Sequence, residues 1–153
     1  MLTGLGILLF LGLMALWALR LADLGRDGRV WKALAATADP APARFDPAMI
    51  ADLPEPARRY LGFAIRPGTP LRAVAEIAMA GRIGMGTKAK PGYRAMAARQ
   101  ILAAPQGLVW RLASGALSGS DGLTEAASWT RFRLFGFVPV MRAGGADHRR
   151  SAF

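Results

Sequence analysis

The chain has 153 residues and a net charge of +10, with 20 Lys and Arg against 10 Asp and Glu. It contains no cysteine, which excludes disulfides, thiolate metal sites, cysteine nucleophiles and lipoprotein acylation. The basic balance suits membrane lipids or an acidic protein partner, while nucleic acid is not expected, and most of this charge reads as solvated surface.

Leu2 to Leu19 carries no charged residue. As a helix rising 1.5 Å per residue it would be roughly 27 Å long, close to the roughly 30 Å hydrocarbon core of a bilayer. Its leucines, Ile7 and Phe10 favour insertion by about 3 to 6 kcal/mol. Trp17 and Arg20 close the run as an interfacial aromatic followed by a headgroup-level cation, with Arg26 and Arg29 beyond. A cleaved signal would need a positive segment before the run and a small-x-small site soon after it, and neither is present. The expectation is a single-pass inner-membrane anchor over 1–21. Arg20, Arg26, Arg29 and Lys32 all lie beyond the run, so the positive-inside rule puts the domain on the cytoplasmic side; the periplasmic side is the alternative.

Residues 22–44 read as a juxtamembrane helix followed by a Pro/Ala linker, Thr37 to Arg44, and 45–153 as the domain proper. Asp46 with Pro47 is a helix-start signal, and Pro54 and Pro56 divide the stretch from Phe45 to Ile65 into two short helices. In the second, Ala57, Tyr60, Leu61 and Ala64 share one face and Arg58 and Arg59 point away. The period then changes from helical to alternating. Leu71 to Met85 and Tyr93 to Leu102 form two strands around a charged turn, Lys88 to Gly92. A third strand places Leu108, Trp110 and Leu112 inward with Arg111 opposite. Ser118 to Gly122 reads as a hairpin turn on its Asp-Gly pair, and Ser128 to Val140 supplies the last strand or two. Ala143 to Ala146 forms a further turn, with Asp147 as the N-cap of a helix begun at His148. Tight turns without intervening helices predict an α+β fold: a transmembrane helix, short helices and an antiparallel, curved β-meander, an incomplete half-barrel.

Chemistry-bearing motifs are sparse. Gly81 to Lys88 imitates a phosphate loop, but Thr87 precedes Lys88 and Pro91 forbids the helix such a loop needs. His148, the single histidine, and the scattered carboxylates form no acid/base or metal constellation, so no catalytic residue, metal or cofactor is expected. Trp129, Arg131, Arg133 and Phe135 lie on one face of a strand, where two cations between two aromatics can hold an anionic ligand. The other account of these arginines has their stems covering a sheet whose core side is Thr130, Phe132 and Leu134.

Leu53-Pro54-Glu55-Pro56-Ala57-Arg58-Arg59-Tyr60-Leu61, Ile65 to Pro70, Gly107-Leu108-Val109-Trp110 and Val138 to Ala143 together carry a resemblance. The chain resembles an uncharacterised bacterial family, often found behind an N-terminal membrane helix. Its members run on past the Arg150-Ser151-Ala152 segment, which implies a chain truncated at its C-terminus; the resemblance implies no activity. The expected function is a membrane-anchored, non-enzymatic binding domain for a lipid or other amphipathic anionic ligand. The alternatives are a tethered protein-interaction module and an enzyme whose active site lies in a missing C-terminal part.

Overall fold

A continuous helix, α1 (Leu2–Ala35), opens the chain in the computed structural model, which describes residues 2–150. Its first half contains the stretch long and apolar enough to cross a membrane, and those side chains are exposed: Leu8 is 69% and Leu9 67% accessible. No proline interrupts it, so the helix passes from this apolar run into a second half that packs on the domain.

The end of the Thr37 to Arg44 segment is tied down, Ala43 and Arg44 pairing with residues 68–71. Phe45 is buried, its N–H donates to Thr69 O at 2.8 Å, and the Leu71 N–H donates to Ala43 O at 2.8 Å. Asp46 accepts from the Ala48 N–H at 2.9 Å and caps a short 3-10 helix, Pro47–Ile50. Next comes α2 (Glu55–Ala64), with Pro56 in its first turn where a missing N–H costs nothing. Ala57 and Leu61 are half-buried, but Tyr60 and Phe63 of α2 are 69% and 90% exposed.

Six strands complete the sheet: β1 (Val74–Gly84), β2 (Tyr93–Ala103), β3 (Gly107–Ser114), β4 (Leu117–Thr124), β5 (Ser128–Leu134) and β6 (Val138–Gly144). They form one antiparallel meander in chain order, and β1 and β6 are not joined. A five-residue helix, α3 (Ala146–Arg150), closes the described chain, so Asp147 sits inside its first turn and not at its N-cap.

The predicted Asp-Gly hairpin is corrected by the register. Asp121 pairs with Trp110 on one side and Thr130 on the other, in the middle of β4, and the chain turns instead at Gly115, whose φ is +57°. The glycines of that stretch serve packing. A Cβ on Gly122 would overlap the Trp129 indole, and one on Gly119 would overlap the Phe132 ring. The β5–β6 turn is closed by the Phe137 N–H to Leu134 O at 3.2 Å, with Phe135 at φ +52° and Gly136 at +78°. Two positive φ values mark a type I′ turn, in which Asn-Gly is at ease and a phenylalanine costs about 1–2 kcal/mol.

The core lies between the second half of α1 and one sheet face. Leu34, Ile101, Ala103, Val109 and Trp129 are buried together, with Val30, Trp31, Ala35 and Val74 around them. The residues facing the sheet, Asp23, Asp27, Val30, Trp31 and Leu34, recur at helical spacing. Val109 is therefore the residue of β3 that faces α1, with Arg111 on its side, while on the far face Leu108 and Trp110 are half-buried and Leu112 is buried. On β5, likewise, it is the Trp129, Arg131 and Arg133 side that is covered; Thr130 and Phe132 are half-buried and Leu134 is exposed.

Candidate functional site

One rung of the sheet sets the electrostatics beneath α1. Arg99 pairs with Arg111, Arg111 with Ser120, Ser120 with Arg131 and Arg131 with Arg142, so four arginines and a serine lie side by side across β2 to β6. Like charges on adjacent strands repel, and such a rung needs counter-charge or aromatic cover. Both come from α1. Asp23 and Asp27, one helical turn apart, project onto the rung at 4% and 3% exposure.

Asp23 is the hub. Its carboxylate accepts from Arg142 at 2.5 and 3.2 Å, lies 3.4 Å from Arg131 and is bonded by Arg133. Asp27 accepts from Ser120 Oγ at 2.6 Å and from Arg131 at 3.2 Å, and the same Ser120 hydroxyl oxygen accepts from Trp129 Nε1 at 3.2 Å. Arg131 also stacks 5.0 Å from the Trp129 ring centre. Farther along, Trp31 of α1 donates to Glu76 at 2.8 Å and lies under the guanidiniums of Arg111 at 5.0 Å and Arg99 at 5.6 Å.

The two carboxylates are tuned apart. Burial raises the pKa of Asp23, but the hydrogen bonds from Arg142 and Arg133 and the charge of Arg131 outweigh it, so the net shift is downward. Burial also dominates at Asp27, and there it wins over Ser120, Arg131 and Arg111, so the carboxyl is held above its ordinary value. Burial lowers the Arg131 pKa against the pull of Asp23 and Asp27, and the hydrogen bond to Asp23 raises that of Arg142.

Beside this cluster, where the apolar run of α1 ends, is a cavity of about 210 Å³. Arg20, Leu24, Asp23, Asp27, Arg111 and Arg133 are in its wall. Arg20 donates to the Gly136 carbonyl at the β5–β6 turn. The Nε atoms of Arg111 and Arg133 are buried with no hydrogen-bond partner among the described residues. In the cavity and the cluster that borders it, Arg20, Arg111, Arg131, Arg133 and Arg142 face two carboxylates among the described residues, Asp23 and Asp27, so positive charge is in excess there.

Of the ligand-contact residues expected from sequence, Trp129, Arg131 and Arg133 are 2%, 6% and 7% exposed beneath α1, whereas Phe135 is 72% exposed at the turn. Arg133 reaches the cavity; Trp129 and Arg131 support the ion cluster behind it. Among the expected interfacial residues, Trp17, Arg26 and Arg29 are exposed on α1, while Arg20 is half-buried and turned to the sheet. Asp23, Asp27, Ser120, Arg111 and Arg142 were not anticipated; the three-to-four-residue spacing of Arg20, Asp23, Asp27 and Trp31 was the available signal for the two aspartates, and no local signal pointed to the other three. His148 lies elsewhere, at 2.8 Å from Ser128 Oγ and 3.3 Å from Thr130 Oγ1.

Together these features define an α+β domain built as one open antiparallel sheet, clasped on one face by a long N-terminal helix through a buried arginine-carboxylate cluster. The chain belongs to DUF6544, a family of unknown function, whose profile matches residues 43–153. No curated protein and no solved structure matches it.

Proposed function

We propose that this is a membrane-anchored, non-enzymatic binding domain that holds the anionic headgroup of an amphipathic ligand in the arginine-walled cavity at the foot of α1. The observation that carries this reading is the excess of guanidinium over carboxylate around a 210 Å³ space whose wall includes Arg20, the first charged residue after the apolar run. A phosphate or carboxylate there would meet the guanidinium groups of Arg20, Arg111 and Arg133 in the cavity wall, and charge-assisted bonds from arginine are the strong ones. Arg111 is free to serve because its guanidinium is held by the Trp31 ring and not by an acid. The ligand's apolar part would remain in the bilayer beside α1. The positive-inside rule supports the cytoplasmic face for the domain, since Arg20, Arg26, Arg29 and Lys32 come after the apolar run; the periplasmic face is the alternative.

Native mass spectrometry of the protein extracted from membranes in mild detergent tests this directly. Retained anionic lipid is expected, reduced about tenfold in Arg111→Gln, a loss of about 1.4 kcal/mol. Arg111 and Arg20 are the informative positions, since neither anchors Asp23 or Asp27. Extraction with no anionic lipid bound to the wild type would refute the proposal.

A further inference from the structure

The turns at one end of the sheet converge on the point where α1 becomes apolar. Arg20 donates to the Gly136 carbonyl, which fixes the β5–β6 turn beside the first charged residue after the run. Leu134 pairs with Leu117, and the Phe135 N–H donates to Ala116 O at 2.8 Å, so the β3–β4 turn lies against it. Ser114 Oγ donates to Ala95 O at 2.8 Å, which ties the end of β3 to the start of β2 and places the β1–β2 turn, with Lys88 and Lys90, at the same end.

This end is apolar at its tip and basic around it. Phe135 is 72% exposed, Val138 38% and Met85 49%. The β1–β2 turn and the strand ends beside it carry Arg82, Lys88, Lys90 and Arg94 and no acidic residue. Glu125 and Asp147 sit at the other end of the sheet, around Arg149 and α3. Phe135 is also conformationally out of place, a large aromatic at φ +52° whose ring meets water. Neither turn chemistry nor folding asks for it there, and strained residues of this kind concentrate where function holds them.

We infer that this end of the sheet seats on the bilayer surface from which α1 emerges, with Phe135 and Val138 entering the headgroup zone and Lys88 and Lys90 meeting anionic phosphates. Exposed phenylalanine buries its ring at the headgroup–acyl boundary, and each cation near an anionic surface adds to the attraction. The inference rests on the reading of α1 as a membrane span, but not on the cavity being occupied.

The absence of cysteine makes the test direct. Phe135→Cys and Val138→Cys are each labelled with an environment-sensitive fluorophore in the full chain and reconstituted into phosphatidylcholine vesicles with and without phosphatidylglycerol. Leu9→Cys reports the span and Glu125→Cys the far end. Both tip probes should be blue-shifted and shielded from an aqueous quencher, more so with phosphatidylglycerol, and the added shielding should vanish in Lys88→Glu/Lys90→Glu. Glu125→Cys should read as aqueous throughout. A buried Leu9 probe with aqueous tip probes overturns the seating alone. An aqueous Leu9 probe overturns the span and the seating with it, and shielding that ignores lipid charge and the lysine reversals overturns the anionic contact.

Discussion

Asp23 holds together three arginines from two strands, and its removal should cost more than any other single substitution. Asp23→Asn leaves Arg133 buried without a counter-ion, and breaking a buried pair from one side costs about 3–5 kcal/mol. Urea unfolding in detergent measures it. The opposed shifts of the two carboxylates predict opposite pH dependences. Asp23, lowered in the folded state, contributes stability above the unfolded aspartate pKa of about 3.9 that disappears as pH falls through its folded value. Asp27, raised in the folded state, takes up its proton before the unfolded chain does, so its effect is a gain of stability as pH falls toward about 3.9 from above. The wild-type advantage over Asp23→Asn should therefore shrink below about pH 4, and Asp27→Asn should lose the gain above it. At the turn, Phe135→Asn relieves the positive-φ strain and should raise stability in detergent by about 1 kcal/mol.

The second half of α1 is the element on which the covered face of the sheet depends. A chain beginning at Arg20 keeps Asp23, Asp27, Trp31 and Leu34 and should fold; one beginning at Ala36 exposes Ile101, Val109 and Trp129 and should not, as amide exchange or circular dichroism would show. Within the sheet, Gly122→Ala should cost about 1–3 kcal/mol by forcing the Trp129 ring from its seat. The strands β1 to β3, the Asp46 cap and the apolar run were legible because period-two alternation, proline and an uncharged stretch are local signals. The docking of α1 was not, because the centre of its inward stripe is two aspartates. A search for apolar periodicity passes over carboxylates that are buried only because arginines about a hundred residues away neutralise them. The same distance hid the covered side of β5, and the Asp121-Gly122 pair misled because its glycine makes room for an indole and not for a turn. For the candidate site, Arg133 was in view while the acids and Ser120 that shape its surroundings were not.

Taken whole, the domain has one sheet face covered by α1 and a more open one, on which α3 sits at Ser128 and Thr130 and Ala98 and Leu112 are buried. Leu102, Leu134 and Met141 are 39%, 37% and 54% exposed on the open side, and β1 and β6 have unpaired outer edges among the described residues. A soluble version beginning at Arg20 should self-associate as concentration rises, and Met141→Lys should suppress this in analytical ultracentrifugation. Because α1 runs unbroken from its apolar half to the ion cluster, the chain has no hinge between that half and the domain. In a bilayer the cavity would be held at one depth and one azimuth, like a mark on a gauge. Inserting a single residue between Leu19 and Asp23 would swing the sheet by about 100° around the helix axis and lift it by about 1.5 Å. On the proposed reading, distance and heading relative to the lipid are properties of the backbone, and a ligand would come to the protein at that level.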